Sequence, residues 1–171
     1  MNQIPLTFFL RLFYRKREIL VQKRSMLKDS FPGVWDISSA GHVDAGENVD
    51  DAAVRELTEE LGVTELLEHT TIDFLFDMHI HCVNGDGKFI DNEFARVYGV
   101  WVDEDAMEHH LHFRLQETEV DEVRWVPVKE LRERYLAHDP NYVCTLEPEK
   151  INFIFDNFDR YMDKKLQEQS Q

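Results

Sequence analysis

The segment from residue 41 to residue 63, GHVDAGENVDDAAVRELTEELGV, restricts the possible folds of this chain more than any other part. Asn48 is a favoured N-terminal cap for a helix, and Gly62 is a favoured residue just after a helix C-terminus. Between them, apolar residues recur every four positions, as in a helix that packs one face on a core: Val49, Ala53, Leu57 and Leu61. The spacing predicts a core-packed helix from about Asn48 to Leu61.

A second face of this helix is acidic. Glu56, Glu59 and Glu60 lie three and four positions apart, so neighbouring Cβ atoms are roughly 5–6 Å apart. Like charges at this spacing repel, and a divalent cation held between them would reverse the sign of that interaction. Carboxylate ligands suit Mg²⁺ or Mn²⁺. The alternative is a solvated acidic face, since the chain has 34 Asp and Glu residues.

The spacing of the charged residues and glycines also matches a known motif. Gly41 is followed after five residues by Glu47, and after seven more by RELTEELGV, which starts at Arg55. This pattern resembles the Nudix box of the Nudix hydrolase superfamily at every specified position. The resemblance implies an α/β fold in which a mixed β-sheet lies between α-helices in three layers (α/β/α). Strands mixed with two or three helices along the chain fit a mixed sheet between helical layers.

The resemblance to the Nudix box also implies a role for each of its charged residues. Glu56, Glu59 and Glu60 would bind Mg²⁺ or Mn²⁺, with assistance from the Gly41 carbonyl. Arg55 would orient the catalytic carboxylates, and either Glu59 or Glu60 would activate the attacking water. Two residues would serve the structure of the motif, namely Glu47 at the start of the helix and Gly62 at its end.

The residues before the box resemble one branch of the superfamily, the isopentenyl-diphosphate isomerases. The shared features are R-x3-K-x3-PG-x-W at residues 24–35, the tripeptide ending in Gly-His at residues 40–42, and an acidic Asp-Asn-Glu at residues 91–93. By this resemblance Arg24 and Lys28 would bind the diphosphate of the substrate. Arg offers paired hydrogen bonds to phosphate, and Lys offers a compact positive charge. Exposed basic residues beside a strand are the alternative.

Two further residues take roles from the same branch. Glu93 would act as a catalytic acid or base and as an additional metal ligand, although a Glu on a strand is often only exposed. His42 falls on a metal-binding histidine of the branch. It could equally contact a metal ligand from the side or belong to a loop.

One departure from the branch bears on the reaction. The catalytic cysteine of the isomerases is replaced by Ala40, which cannot donate or accept a proton. The box, in contrast, is intact. We therefore expect a metal-dependent pyrophosphohydrolase that cleaves a phosphoanhydride bond in a nucleoside-diphosphate-X or another organic diphosphate. The alternatives are an isopentenyl-diphosphate isomerase-like enzyme and a non-catalytic module that senses nucleotides.

Length and charge limit the remaining possibilities. A chain of 171 residues predicts a single domain over residues 1–171, with a core at about 6–165 and a polar C-terminal tail at 166–171. The formal net charge of −15 argues against nucleic acid or an anionic membrane as partner. We expect a small-molecule diphosphate as partner, a possible homodimer, and a cytoplasmic location, because the N-terminal segment has the wrong polarity for a signal peptide.

The rest of the chain shows further strand and helix patterns. A hairpin is predicted at residues 7–14 and 19–23, and a second pair of strands at 72–83 and 89–102, joined by a turn at 84–87. A strand is predicted at 122–126. Helices are predicted at 128–136 and 149–165, and the segment around residues 103–112 is predicted to be a loop.

Overall fold

The computed structural model describes residues 5–84 and 89–170, with the backbone alone for residues 82–84 and 89–91. Its strands are β1 (Leu6–Tyr14), β2 (Glu18–Arg24), β3 (Trp35–Asp36), β4 (Ser39–His42), β5 (Ile72–Asn84), β6 (Phe89–Val102) and β7 (Val120–Pro127). Its α-helices are α1 (Val49–Leu61), α2 (Thr64–His69), α3 (Val128–Leu136) and α4 (Pro148–Glu168), and a π-helical turn spans Ala106–His110.

The strands form one mixed sheet in the order β3-β2-β1-β6-β5, in which β4 pairs with β1 and β7 with β2. β1 and β6 run parallel along the whole of β1, whereas the other pairs are antiparallel. The opposite edge of β1 is shared: β4 pairs with its first half and β2 with its last two residues. Helix α1 contacts both partners, because Glu60 reaches Ser39 of β4 and Gln22 of β2.

Helices cover both faces of this sheet. Alternate residues of β1 point to opposite sides, so that Phe8 and Leu10 pack with α1 while Phe13 packs with α4. The α1 side buries Leu57 completely, and the α4 side buries Phe158. Each such side chain contributes roughly 1.5–3 kcal/mol of hydrophobic stabilisation. The predicted α/β/α arrangement with a mixed sheet is therefore confirmed.

Most of the predicted elements are present, and the helical elements show three differences. Helix α4 continues to Glu168, past the predicted end at Lys165, because Leu166 packs against the α4-side core. The segment predicted as a loop contains the π-helical turn, and α2 had no prediction at all. The predicted turn after Asn84 lies outside the described residues.

No helix within the described ranges is both long and apolar enough to cross a membrane.

Candidate active site

Helix α1 is capped at both ends by the residues from which its bounds were predicted, Asn48 and Gly62. The Asn48 side chain accepts hydrogen bonds from the backbone N–H groups of Asp50 and Asp51, at 2.8 and 3.4 Å. At the other end Gly62 adopts a left-handed conformation with φ of 67° and donates its N–H to the Thr58 carbonyl. A Cβ on Gly62 would lie 2.6 Å from Cβ of Arg114, so glycine also permits close packing against the segment before β7.

Glu60 is a buried carboxylate held by two side chains from the sheet. Ser39 Oγ donates to Glu60 Oε2 at 2.8 Å, and Gln22 Nε2 lies 3.5 Å from the same oxygen. Burial is the main cause that raises the pKa of Glu60 to about 7, and repulsion from Glu56 and Glu119 adds to it, whereas the Ser39 hydrogen bond opposes it. Glu60 can therefore exchange a proton near neutral pH.

Arg55 connects the carboxylates of the motif. Its Nε donates to Glu47 Oε1 at 3.1 Å, and its Nη1 donates to Glu56 Oε1 at 2.7 Å and to Glu59 Oε2 at 3.5 Å. The hydrogen bond from Arg55 lowers the pKa of Glu47. Glu47 also accepts the backbone N–H of Asp44 at 3.2 Å, which closes the loop that enters α1.

Gly41 lets β4 approach α1. A Cβ at this position would lie 3.0 Å from Cγ of Glu56 and 3.0 Å from Cε1 of Phe8. Since contacts that short are rarely tolerated, a larger residue would push strand and helix apart. The glycine of the motif therefore sets the distance between β4 and the acidic face of the helix.

These residues line one polar cavity of about 420 Å³. Glu56, Glu59 and Glu60 line it together with Arg55 and Gly41. His42, at an unspecified position of the box, also lines it, and so do Lys28, Ala40 and Glu119 from outside the box. The structure thus brings most of the sequence-predicted residues to one place.

Glu119 is a site residue that sequence analysis missed. It precedes β7, forms an ion pair with Lys28, and its backbone carbonyl accepts the N–H of Ser25 at 2.9 Å. Glu119 stands in a turn among other acidic residues with no diagnostic spacing. Only the folding of the segment before β7 onto α1 brings it to the cavity.

Arg24 does not line the cavity. Its Nε donates to the Ser30 carbonyl at 3.1 Å, and its Nη1 donates to Asp36 Oδ2 at 3.2 Å. These bonds hold the loop of residues 25–34, which carries Lys28. The predicted contact of Arg24 with substrate stays a prediction, while its observed contacts are with the loop.

Glu93 approaches the site from β6. It is buried, and its Oε2 accepts a hydrogen bond from Thr7 Oγ1 at 2.6 Å. His42 Nε2 lies 3.8 Å from the same oxygen, and His42 itself is exposed in the cavity. His42 thus stands between the cavity and Glu93. Neither role predicted for these two residues is tested by this arrangement.

The donor chemistry of the cavity fits a hard divalent cation, because its lining is rich in carboxylate oxygens. Burial is the main cause of the raised pKa of Glu60, and a cation would relieve the repulsion from Glu56 and Glu119 that adds to it. Within the described residues, however, no three acidic, histidine or cysteine side chains stand close enough together to enclose an ion. Arg55 holds Glu56, and Ser39 holds Glu60, so metal binding requires these side chains to move.

Comparisons with known proteins agree with this arrangement. The NUDIX domain family matches residues 5–146. Nudix hydrolase 3 of Arabidopsis thaliana is 44% identical over 133 residues, which is 74% of this chain but 16% of the plant protein. Isopentenyl-diphosphate Delta-isomerase of Escherichia coli is 31% identical over 97 residues, which is 57% of this chain and 51% of the isomerase. The chain thus spans about half or less of the length of these two relatives.

A solved structure shares the fold at low sequence identity. The MutT protein from Methanosarcina mazei Go1 superimposes with a TM-score of 0.62 at 20% identity, covering 94% of this chain and 97% of that chain. The family match extends over most of the chain and includes the helix, the glycines and the carboxylates described above. The chain belongs to the NUDIX domain family.

Proposed function

We propose that this protein is a metal-dependent pyrophosphohydrolase that cleaves a phosphoanhydride bond in a nucleoside-diphosphate-X or another organic diphosphate. One observation carries the proposal: the three carboxylates of the α1 acidic face, including the buried Glu60, line the same cavity as Lys28. Carboxylates and an ammonium group on one cavity can bind a metal and a phosphate together.

The metal would be held by Glu56, Glu59 and Glu60, with the Gly41 carbonyl assisting. When bound, Mg²⁺ or Mn²⁺ neutralises charge on the phosphates and acidifies a water. Arg55 holds Glu56 and Glu59 beside each other on the cavity through its hydrogen bonds. These bonds would have to rearrange for the two carboxylates to bind a metal.

The proton of the attacking water needs an acceptor. Glu60 suits this role, because its carboxylate lies on the cavity and burial raises its pKa, which makes it a stronger proton acceptor than an exposed glutamate. Glu59 is more exposed and is a second candidate. Glu93 is a third, since its contact with His42 connects it to the cavity.

The phosphates need positive charge. Lys28 is paired with Glu119 across the cavity, and a phosphate oxygen would compete with Glu119 for the Lys28 ammonium group. Arg24 would contribute by fixing the loop that carries Lys28, through its bonds to Ser30 and Asp36. With a formal net charge of −15, the protein suits a small diphosphate as partner better than nucleic acid or an anionic membrane. A cytoplasmic homodimer is part of the same proposal.

Two alternative functions are less favoured. Isomerisation of an alkene needs a proton donor or acceptor on each side of the substrate, and Ala40 lines the cavity where the isomerase branch has its cysteine. A non-catalytic nucleotide sensor could dispense with the box carboxylates. All of them are present in this chain.

A hydrolysis screen tests the proposal, with the products separated by chromatography, because cleavage of a nucleoside-diphosphate-X gives two phosphomonoesters and no free phosphate. Nucleoside triphosphates, nucleotide sugars, dinucleotides and alkyl diphosphates are incubated with the protein and Mg²⁺, with EDTA as blank. We expect turnover of at least one class, with a loss of about 10²-fold or more in Glu60→Gln. The matched control is Glu68→Gln, which replaces an exposed glutamate on α2 and should retain full activity. Turnover that survives in Glu60→Gln contradicts the proposed role of Glu60.

A further inference from the structure

A second, more apolar hollow lies beside the catalytic cavity. It has a volume of about 660 Å³. Met26, Leu27, Leu115 and Val120 line it, together with the acidic residues Glu117 and Asp121. The apolar side chains set it apart from the catalytic cavity, whose lining is almost entirely polar.

The two hollows share a wall made of two chain segments. In the loop after β2, Met26 and Leu27 line the second hollow, and the next residue, Lys28, lines the catalytic cavity. At the start of β7, Glu119 precedes the strand and lines the catalytic cavity, while Val120, the first residue of β7, lines the second hollow. The Lys28–Glu119 ion pair therefore stands at the boundary between them.

The apolar side chains are displayed on a fixed loop. Met26 and Leu27 are 67% and 73% exposed, although burial of such side chains is favourable. The Met26 N–H donates to Asp121 Oδ2 at 3.3 Å, and the Lys28 N–H donates to the Ser25 carbonyl at 3.2 Å. The backbone thus holds these side chains in water beside a cavity that takes an anion. Exposed apolar groups in such a place are typical of a binding surface.

We propose that this hollow binds the organic group of the diphosphate substrate, and that this group is uncharged and apolar. The inference rests on the proposed function, because the diphosphate has to occupy the catalytic cavity. A phosphate that takes Lys28 from Glu119 would lie at the wall between the two hollows, and its substituent would extend over this wall towards Leu27. Glu117 and Asp121 disfavour an anionic substituent there. A hydrocarbon and an aromatic base both have the required chemistry.

A pair of matched substrates tests the proposal. The kcat/KM for n-hexyl diphosphate is compared with that for methyl diphosphate in the wild type. Full burial of a methylene group corresponds to about a fourfold gain in affinity. The hollow is open on one side, so we expect about twofold per methylene, or about 30-fold for the pair. In Leu27→Asn this ratio should fall by about fivefold or more. The control variant Leu136→Asn replaces an exposed leucine on α3, and the ratio should not change in it.

The outcomes separate the subsite from the activity. A ratio that is the same in Leu27→Asn, Met26→Gln and wild type overturns the proposal even if hydrolysis is fast. If no diphosphate is hydrolysed, calorimetric binding of the non-cleavable n-hexyl methylenediphosphonate decides. Binding that weakens in Leu27→Asn supports the subsite while the proposed hydrolysis fails, and binding that is absent or insensitive to Leu27 overturns the subsite. A nucleoside diphosphate substrate run in parallel distinguishes an aromatic base from a hydrocarbon.

Discussion

The burial that suits Glu60 to its proposed role as proton acceptor also destabilises the folded protein when its carboxyl group is ionised. Its pKa is raised from 4.5 to about 7, mainly by burial. Between these pH values the folded protein binds more protons at this site than the unfolded chain does. The contribution of Glu60 to folding stability is therefore complete below about pH 4.5 and is lost as the pH rises through about 7. The difference in pKa corresponds to about 3 kcal/mol at alkaline pH.

Replacing Glu60 by Gln should remove this pH dependence. In EDTA at pH 8, we expect Glu60→Gln to raise the free energy of unfolding by about 1–3 kcal/mol, and to change it little at pH 5. Urea unfolding at the two pH values measures both quantities. Saturating Mg²⁺ should reduce the difference at pH 8, because a bound cation stabilises the ionised carboxylate. An equal effect at both pH values would show that the carboxyl group does not titrate as described.

Ser39 is a positioning residue that the motif did not indicate. Its hydroxyl donates to Glu60 Oε2 and is fully buried. In Ser39→Ala we expect kcat to fall by about tenfold with little change in KM, since a hydrogen bond to a charged group contributes about 1.5–3 kcal/mol. Steady-state kinetics with the substrate found in the screen measures both constants.

The neighbouring serine supplies a matched control. Ser38 is equally buried, but its hydroxyl donates to the Leu20 carbonyl at 2.6 Å and accepts the Leu12 N–H at 3.1 Å. Ser38→Ala should lower stability by about 1–3 kcal/mol and leave kcat unchanged. If both variants reduce kcat equally, Ser39 acts through the stability of the sheet and not through Glu60.

At the scale of the elements, the sequence predicts best what local forces determine. Helix α1 has a capping side chain, a four-residue apolar period and a glycine stop, and each acts within a few residues. Helix α3 has the same bounds as predicted, because Pro127 precedes it and its apolar spacing is regular. The acidic face formed by Glu56, Glu59 and Glu60 follows from α1, since a helix fixes which residues share a face.

Elements that depend on distant contacts could not be predicted. Helix α2 has six residues, too few to be stable alone, and Leu66 anchors it in the α1-side core. Strand β3 has two residues, and it forms by pairing with β2 and by a bridge from Trp35 to Tyr142. Glu119 and Ser39 join the site for the same reason, because only the assembled sheet brings them to α1. The hydrogen bond from Arg24 to Asp36 likewise depends on the folding of the loop between these two residues.

The C-terminal cap of α1 gives a prediction at this scale. Gly62→Ala should cost about 3 kcal/mol or more, because alanine is strained in the left-handed conformation and its Cβ would lie 2.7 Å from the Arg114 carbonyl oxygen. Gly46→Ala is the control, since Gly46 has φ of 89° with open space around the added Cβ. We expect about 1 kcal/mol there, from strain alone. Urea unfolding of both variants checks the difference, and equal losses would mean that the contact with Arg114 contributes nothing.

At the scale of the whole molecule, the site lies where β1 changes partners. β4 and β2 share one edge of β1, and α1 packs over the place where they separate. Both cores flank this place, so the site rests on rigid elements while Lys28 and Glu119 reach it from loops. The net charge of −15 repels anions at long range, and a bound cation would reverse that field locally.

Titration of Mn²⁺ followed by electron paramagnetic resonance tests the central claim, that the α1 carboxylates form a divalent cation site. Bound Mn²⁺ loses the sharp signal of the free ion, so binding is measured without turnover. We predict saturable binding in the wild type and in Glu68→Gln, and affinity at least tenfold weaker in Glu60→Gln. Unchanged Mn²⁺ binding in a folded Glu60→Gln would contradict the account, because the cation would then lie elsewhere.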